Sequence, residues 1–243
     1  PRITPMPAVS KAGGVYEDIT TLEVELNGEG TIYYTTDGSN PTPSSQRYTG
    51  PLKLTKTTAI RAIAVGEGAV PSPVLTASYI INEHHTVDVV SLVSDPYNLF
   101  SEEYGIYADG PNPGTQFPYV TANYWKNWER DAHAELFSNG ETVFEVNCGV
   151  KIFGSLSRAY EKKSLSLRFR DCYGVDTLQA KVFDTREYTE FNSLVLRSGG
   201  QDRLRIWIDN DDVHHPDYEL TGSDLIDSGR WRQGLRVDLG VVP

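Results

Sequence analysis

The segment GSLSRAYEKKSLSLRFR, residues 154–170, carries five Lys or Arg residues in seventeen, within a chain whose net charge is −11. It opens with a glycine and two serines, then Arg158, and reaches the adjacent pair Lys162 and Lys163. Backbone N–H groups, hydroxyls, a guanidinium and an ammonium together are the groups that bind phosphate oxygens. The spacing is not that of a P-loop, which needs a second glycine directly before the lysine. Alternation along KSLSLRF puts Lys163 on the side of Leu165, Leu167 and Phe169, and Lys162 on the other. A lysine on the core side of a strand is costly unless an anion meets it, or unless its stem lets the ammonium reach water. Two readings follow, a phosphate site and a snorkelling strand-end lysine.

Other chemistry-bearing residues give weaker patterns. His84 and His85 are adjacent, so in a strand they point to opposite faces and do not share one ion; a solvated linker is expected. IDNDDVHHPDYE (208–219) is rich in carboxylates, and Asp209, Asp211, Asp212 and His214 could form a loose metal site. An EF-hand starting at Asp209 fails, because His214 and Leu220 stand where Gly and Glu are required. Asp202, beside Gly199 and Gly200, is a candidate site carboxylate. Trp125 and Trp128 with Tyr124 either pack a loop on the core or offer a sugar platform. No GxSxG occurs, and no histidine is placed for a serine triad.

The elements that must position these residues are mostly strands. The chain has 243 residues, 39% of them hydrophobic, with 21 Gly and 14 Pro, which favours one or two turn-rich β domains. TLEVELNG alternates Leu22, Val24 and Leu26 against Glu23 and Glu25; TIYYTT, KLTKTTAIRAIAV and VLTASYIIN are further strands, and DGSNPTPSS is dense in turn formers. Strands at this spacing predict an immunoglobulin-like sandwich over 1–84. A second region starts at 85: VDVVSLVS as a buried strand, a loop or short helix to Gly105, and a strand in which Ala132, Ala134 and Leu136 alternate with His133, Glu135 and Phe137. NGETVFEVNCGVKIFG reads as a turn, a strand, a tight place at Gly149 and another strand. SLVLR reads as a central strand.

Cys148 and Cys172 flank the basic segment. Aligning the apolar faces around it requires pairs such as Val150 with Phe169, and on that parity the two cysteines face opposite ways. Two free thiols are expected. The acidic balance argues against nucleic-acid binding, and no apolar run is long enough for a membrane span. The chain opens at Pro1 with no signal-peptide pattern and reads as a processed piece.

The run YYTTDGSNPTPSSQRYTGPLKLTKTTAIRAIAV, with SPVLTASYII after it, resembles the chitobiase/β-hexosaminidase C-terminal-type domain over about residues 6–83. That resemblance implies an accessory β-sandwich module of secreted and surface proteins. VSLVSDPYNLFSEEYGIYADG, NYWKNWERDAHAELF, CGVKIFGSLSRAYEKKSLSLRFR and FNSLVLRSGGQD together resemble, over about residues 87–202, the amino-terminal part of the CotH-like spore-coat protein kinases. This implies an atypical secreted kinase fold that uses ATP with Mg or Mn. It makes Ser157, Arg158, Lys162 and Lys163, with Asp202, nucleotide-binding candidates. Residues 203–243 depart from that family, and its later motifs are absent from them.

The expected fold is therefore mainly β with some α. An N-terminal Ig-like sandwich precedes an incomplete kinase-like α+β domain over 85–202 and a divergent or truncated tail over 203–243. The expected function is a fragment of a secreted kinase that keeps part of a nucleotide-phosphate site and lacks phosphotransfer. Its partner would be a protein substrate or a surface or cell-wall component. The alternative is a non-catalytic extracellular module that binds glycan or protein.

Overall fold

The computed structural model describes residues 2–198. Asp202, the acidic segment 208–219 and the tail 203–243 lie outside the described residues. The described chain is mainly β, with one α-helix and three 3₁₀ turns.

The first unit contains β1 (Ala8–Val9), β2 (Gly14–Tyr16), β3 (Leu22–Val24), β4 (Leu26–Asn27), β5 (Thr31–Thr35), β6 (Gln46–Arg47), β7 (Leu52–Leu54), β8 (Thr58–Val65) and β9 (Leu75–Ile81). A five-stranded sheet in the order β2-β9-β8-β5-β6 faces the β3-β7 and β1-β4 pairs. The alternation of TLEVELNG explains that packing. Leu22, Val24 and Leu26 are buried with Leu54 against Ile32, Tyr34, Ile60, Ala62, Ala77 and Tyr79, while Glu23 and Glu25 stay in water. Each buried aliphatic side chain of this kind contributes roughly 1.5–3 kcal/mol. The DGSNPT turn is organised locally. Asp37 Oδ1 accepts from Ser39 N at 3.0 Å and Ser39 Oγ at 2.6 Å, and these bonds hold its carboxyl below the usual carboxylate range.

The second unit contains β10 (Val89–Val93), α1 (Pro96–Phe100), β11 (Arg130–Ser138), β12 (Glu141–Phe153), β13 (Ser164–Arg168), β14 (Leu178–Gln179), β15 (Glu190–Phe191) and β16 (Ser193–Leu196). Its antiparallel sheet runs β10-β11-β12-β13-β16, and β14 pairs with β15. Asn139 and Gly140, at φ 50° and 83°, join β11 to β12. Two successive left-handed residues make the hairpin turn whose twist matches the strands, which is why Asn-Gly occurs there.

One face of this sheet forms the core: Ala132, Ala134 and Leu136; Phe144, Val146, Cys148, Val150 and Ile152; Leu165 and Leu167; Leu194 and Leu196. The other face of β11 carries Asp131, His133 and Glu135 and lies against the first unit. There Ser78 N, on β9, donates to Glu135 Oε1 at 3.2 Å, and Ser91 Oγ, on β10, donates to Ser78 Oγ at 2.7 Å. Asp95 clamps the same joint. One oxygen caps α1 by accepting from Tyr97 N, and the other accepts from Asn40 N in the DGSNPT turn at 2.8 Å.

Three expectations are corrected. β12 is one continuous strand through Gly149, with no break there. Gly149 is needed because a Cβ would sit 2.7 Å from Cδ of Glu129, whose carboxylate is held by Arg170 and Tyr173. Among the described residues β16 is at the end of its sheet rather than central. The β12–β13 register pairs Val150 with Leu167, two residues from the expected partner but on the same parity. Cys148 and Cys172 are both free, the first buried and the second exposed. Burial pushes the Cys148 thiol up to about 12.

Candidate functional site

The basic segment leaves β12 at Phe153, turns at Gly154 with φ 119°, and forms a 3₁₀ turn over Leu156–Ala159 before β13. Gly154 is required: a side chain there would strike Ser157 Oγ, and its φ lies where L-residues are strained.

Arg158 fastens the turn. Its Nε donates to Gly154 O at 2.6 Å and its Nη1 to Tyr124 O at 3.3 Å. Lys163 is only 7% exposed, so alternation placed it on the correct side of the strand. Its Nζ donates to Tyr160 O at 2.8 Å. The ammonium lies 4.1 Å from the ring centre of Tyr124 and 5.1 Å from that of Tyr107. Tyr107 Oη also accepts from Lys163 N at 2.8 Å, which ties the segment 101–110 to the start of β13.

Tyr124 is the common floor, with its carbonyl on Arg158 and its ring under Lys163. It is 2% exposed. Burial depresses the Lys163 ammonium below the ordinary lysine value, and the field of Asp109 and Glu161 partly restores it. Neither carboxylate makes an ion pair with it among the described residues. An ammonium has three donors. One is used by Tyr160 O, and the remaining two are directed among ring faces, whose attraction is modest beside that of an anion. Lys162 is exposed, so Lys163, not Lys162, is the inward cation.

The structure thus places Arg158 and Lys163 both on Tyr124, turns the Ser157 hydroxyl towards Gly154, and leaves Lys162 exposed. Among the described residues no group of three His, Cys, Asp or Glu side chains is placed to hold a metal ion. His84 and His85 turn to different carboxylates, Glu17 at 3.6 Å and Glu83 at 3.0 Å.

The tryptophan cluster packs. Trp125 Nε1 donates to Pro118 O at 2.8 Å. Trp128 is covered by Lys126 at 4.1 Å and Arg130 at 4.6 Å. Arg130 was not singled out by sequence, yet it is 6% exposed and stacks 3.4 Å from the ring centre of Tyr104. Its place at the head of a strand between aromatic-rich loops was the available signal. Glu135 was also missed, because a carboxylate on the polar side of an alternating strand reads as solvated until a second unit covers it.

The architecture is that of a β protein with two units, in which a sandwich module precedes a five-stranded antiparallel sheet that carries a cationic loop. Residues 11–76 match the family model of the chitobiase/β-hexosaminidase C-terminal domain, so the first unit contains that domain over a slightly shorter span than the resemblance suggested. No curated protein and no solved structure matches the chain. No helix among the described residues is long and apolar enough to cross a membrane.

Proposed function

We propose that the second unit is the nucleotide-holding portion of a CotH-like secreted protein kinase, joined to an accessory sandwich module and without phosphotransfer of its own. One observation carries the reading: the ammonium of Lys163 is buried over the ring of Tyr124, whose carbonyl holds Arg158, and among the described residues no carboxylate bonds it. A buried cation in such a state is stabilised by an anion that arrives with its own oxygens.

Lys163 and Arg158 would face phosphate oxygens, Ser157 Oγ would donate to one, and Lys162 would add field from the rim. Bound ATP would supply the phosphoryl group. Mg or Mn would neutralise phosphate charge, but the described residues offer no ligand set for either. Phosphotransfer also needs a carboxylate that orients the acceptor hydroxyl, and none of the described residues is assigned that part. Asp202 remains the candidate carboxylate. The described chemistry is therefore holding and orienting nucleotide phosphates, in an extracellular setting.

Melting with and without ATP plus Mg or Mn tests this. Ligand at 100 times its Kd adds about 2.7 kcal/mol of stability. The expected result is a saturable upward shift that Lys163→Met abolishes. No shift at millimolar ATP removes the nucleotide reading.

The second reading, a non-catalytic surface module that binds glycan or protein, is favoured by the family match of residues 11–76. It predicts retention on a cell-wall glycan matrix with no effect of ATP.

A further inference from the structure

The joint between the two units buries ionisable groups that the nucleotide site does not use. Glu135 is 1% exposed. Its Oε1 accepts from Ser78 N, while its Oε2 is buried without a hydrogen-bond partner. Two positions along the same strand face, His133 Nε2 is buried and unpartnered too, its Nδ1 being 2.8 Å from Asn147 Oδ1. A buried carboxylate needs two to four donors to stay ionised at little cost, and this one has donors on one oxygen only.

The groups facing it come from every element packed on the joint. β9 contributes Ser78 and Tyr79, β10 Ser91, and β8 the buried Arg61, which donates to Gly38 O at 2.9 Å. The segment before β2 contributes Gly13, where a Cβ would lie 2.6 Å from Glu135 Oε1, so no side chain can enter there. β12 places Glu145 directly opposite Glu135 in the register, and like charges so paired repel. Asp131 and His133 precede Glu135 on the same face of β11. Asp95, at the cap of α1, bonds the DGSNPT turn. Burial lowers the Arg61 guanidinium, and the fields of Asp131 and Asp95 partly restore it.

We propose that this joint is a proton-controlled latch: with a proton on Glu135 the sandwich seats on the second unit, and loss of that proton loosens the seat. Burial, reinforced by Glu145, holds the Glu135 carboxyl up at about 7 from an ordinary 4.5. The sign follows. The raised value belongs to the closed joint, so its stability is complete below about pH 4.5 and is lost as pH rises to about 7. Over that window one proton changes the opening constant by about 10-fold per pH unit. Burial lowers the His133 imidazole; a lowered value favours the closed joint as pH rises, the opposite sign to Glu135, so the latch is read with His133 replaced.

Amide hydrogen exchange on the full chain tests the latch. Ser78 N–H, which bonds Glu135 across the joint, reports its opening, and Leu167 N–H inside the second sheet reports global unfolding. From pH 5 to pH 8 in His133→Gln, which removes the opposing titration, the opening constant at Ser78, after division by intrinsic rates, should rise about 100-fold and level off above pH 7. That at Leu167 should change far less. In the unsubstituted chain the rise should be smaller, and in the double variant Glu135→Gln/His133→Gln it should vanish. A flat Ser78 profile in His133→Gln, an equal rise at Leu167, or an unchanged rise in the double variant would each overturn the latch. The first two readouts need only His133→Gln, which keeps a polar side chain at that position, so they decide the matter even if the double variant folds poorly.

Discussion

Arg130 and Lys163 are both buried cations of the second unit, and they are buried differently. Arg130 heads β11, and Lys163 immediately precedes β13. Each donates to the carbonyl of a tyrosine in a preceding loop, and each lies against aromatic rings. Each of the three nitrogens of Arg130 has a backbone carbonyl: Nε and Nη2 donate to Tyr104 O at 3.1 and 2.7 Å, and Nη1 to Glu129 O at 3.2 Å. Lys163 Nζ has one carbonyl among the described residues. The same device therefore serves two ends. A planar fork with several donors can be satisfied by backbone and serve as a rivet. On the proposed function, a point charge cradled on ring faces beside a second cation is the receptor for an anion.

The largest expected effect is on the rivet. Arg130→Ala leaves Tyr104 O without its donors and opens the stack with Trp128, so urea unfolding should show a loss of about 3 kcal/mol. Gly149→Ala strikes the same corner through Glu129, which must leave Arg170 and Tyr173 to admit a Cβ. About 2 kcal/mol should be lost, with the unfolding slope unchanged.

Lys163→Met should by contrast change stability by no more than about 1 kcal/mol, because an apolar chain of similar length replaces a costly buried charge. A loss as large as that of Arg130→Ala would erase the distinction between rivet and receptor. The pH dependence of ATP binding sharpens it. Lys163 loses its proton below the ordinary lysine value of 10.5, so affinity should fall with rising pH earlier than an exposed lysine would dictate. The smallest effect belongs to Lys162→Ala: within about 0.5 kcal/mol in stability, and a smaller loss of ATP affinity than Lys163→Met causes.

Much of the fold was legible because alternation is a local property. Leu22, Val24 and Leu26 revealed their face, and so did Ala132, Ala134 and Leu136. The parity that put Lys163 inward and separated the cysteines needed only the period of a strand. What failed required distance. The β12–β13 register is two residues off because parity leaves such slips undetermined, and turn geometry sets them. Gly149 looked like a break because a glycine in a strand usually marks one, whereas here it makes room for Glu129, which lies outside the strand. Glu135 could not be read as buried, because its cover comes from Ser78, more than fifty residues away in the chain. Of the candidate site, Arg158 and Lys163 converge on Tyr124, a residue whose place beside Trp125 and Trp128 pointed to packing or a sugar platform rather than to a partner of these cations.

The side-chain nitrogen resonances of lysine and arginine, followed by NMR as ATP with Mg is added, test the receptor most directly. The account predicts that Lys163 Nζ and Arg158 Nε shift together and saturate while Arg130 Nε stays in place. A Lys163 signal that does not move, or that moves no further than Arg130, would contradict it.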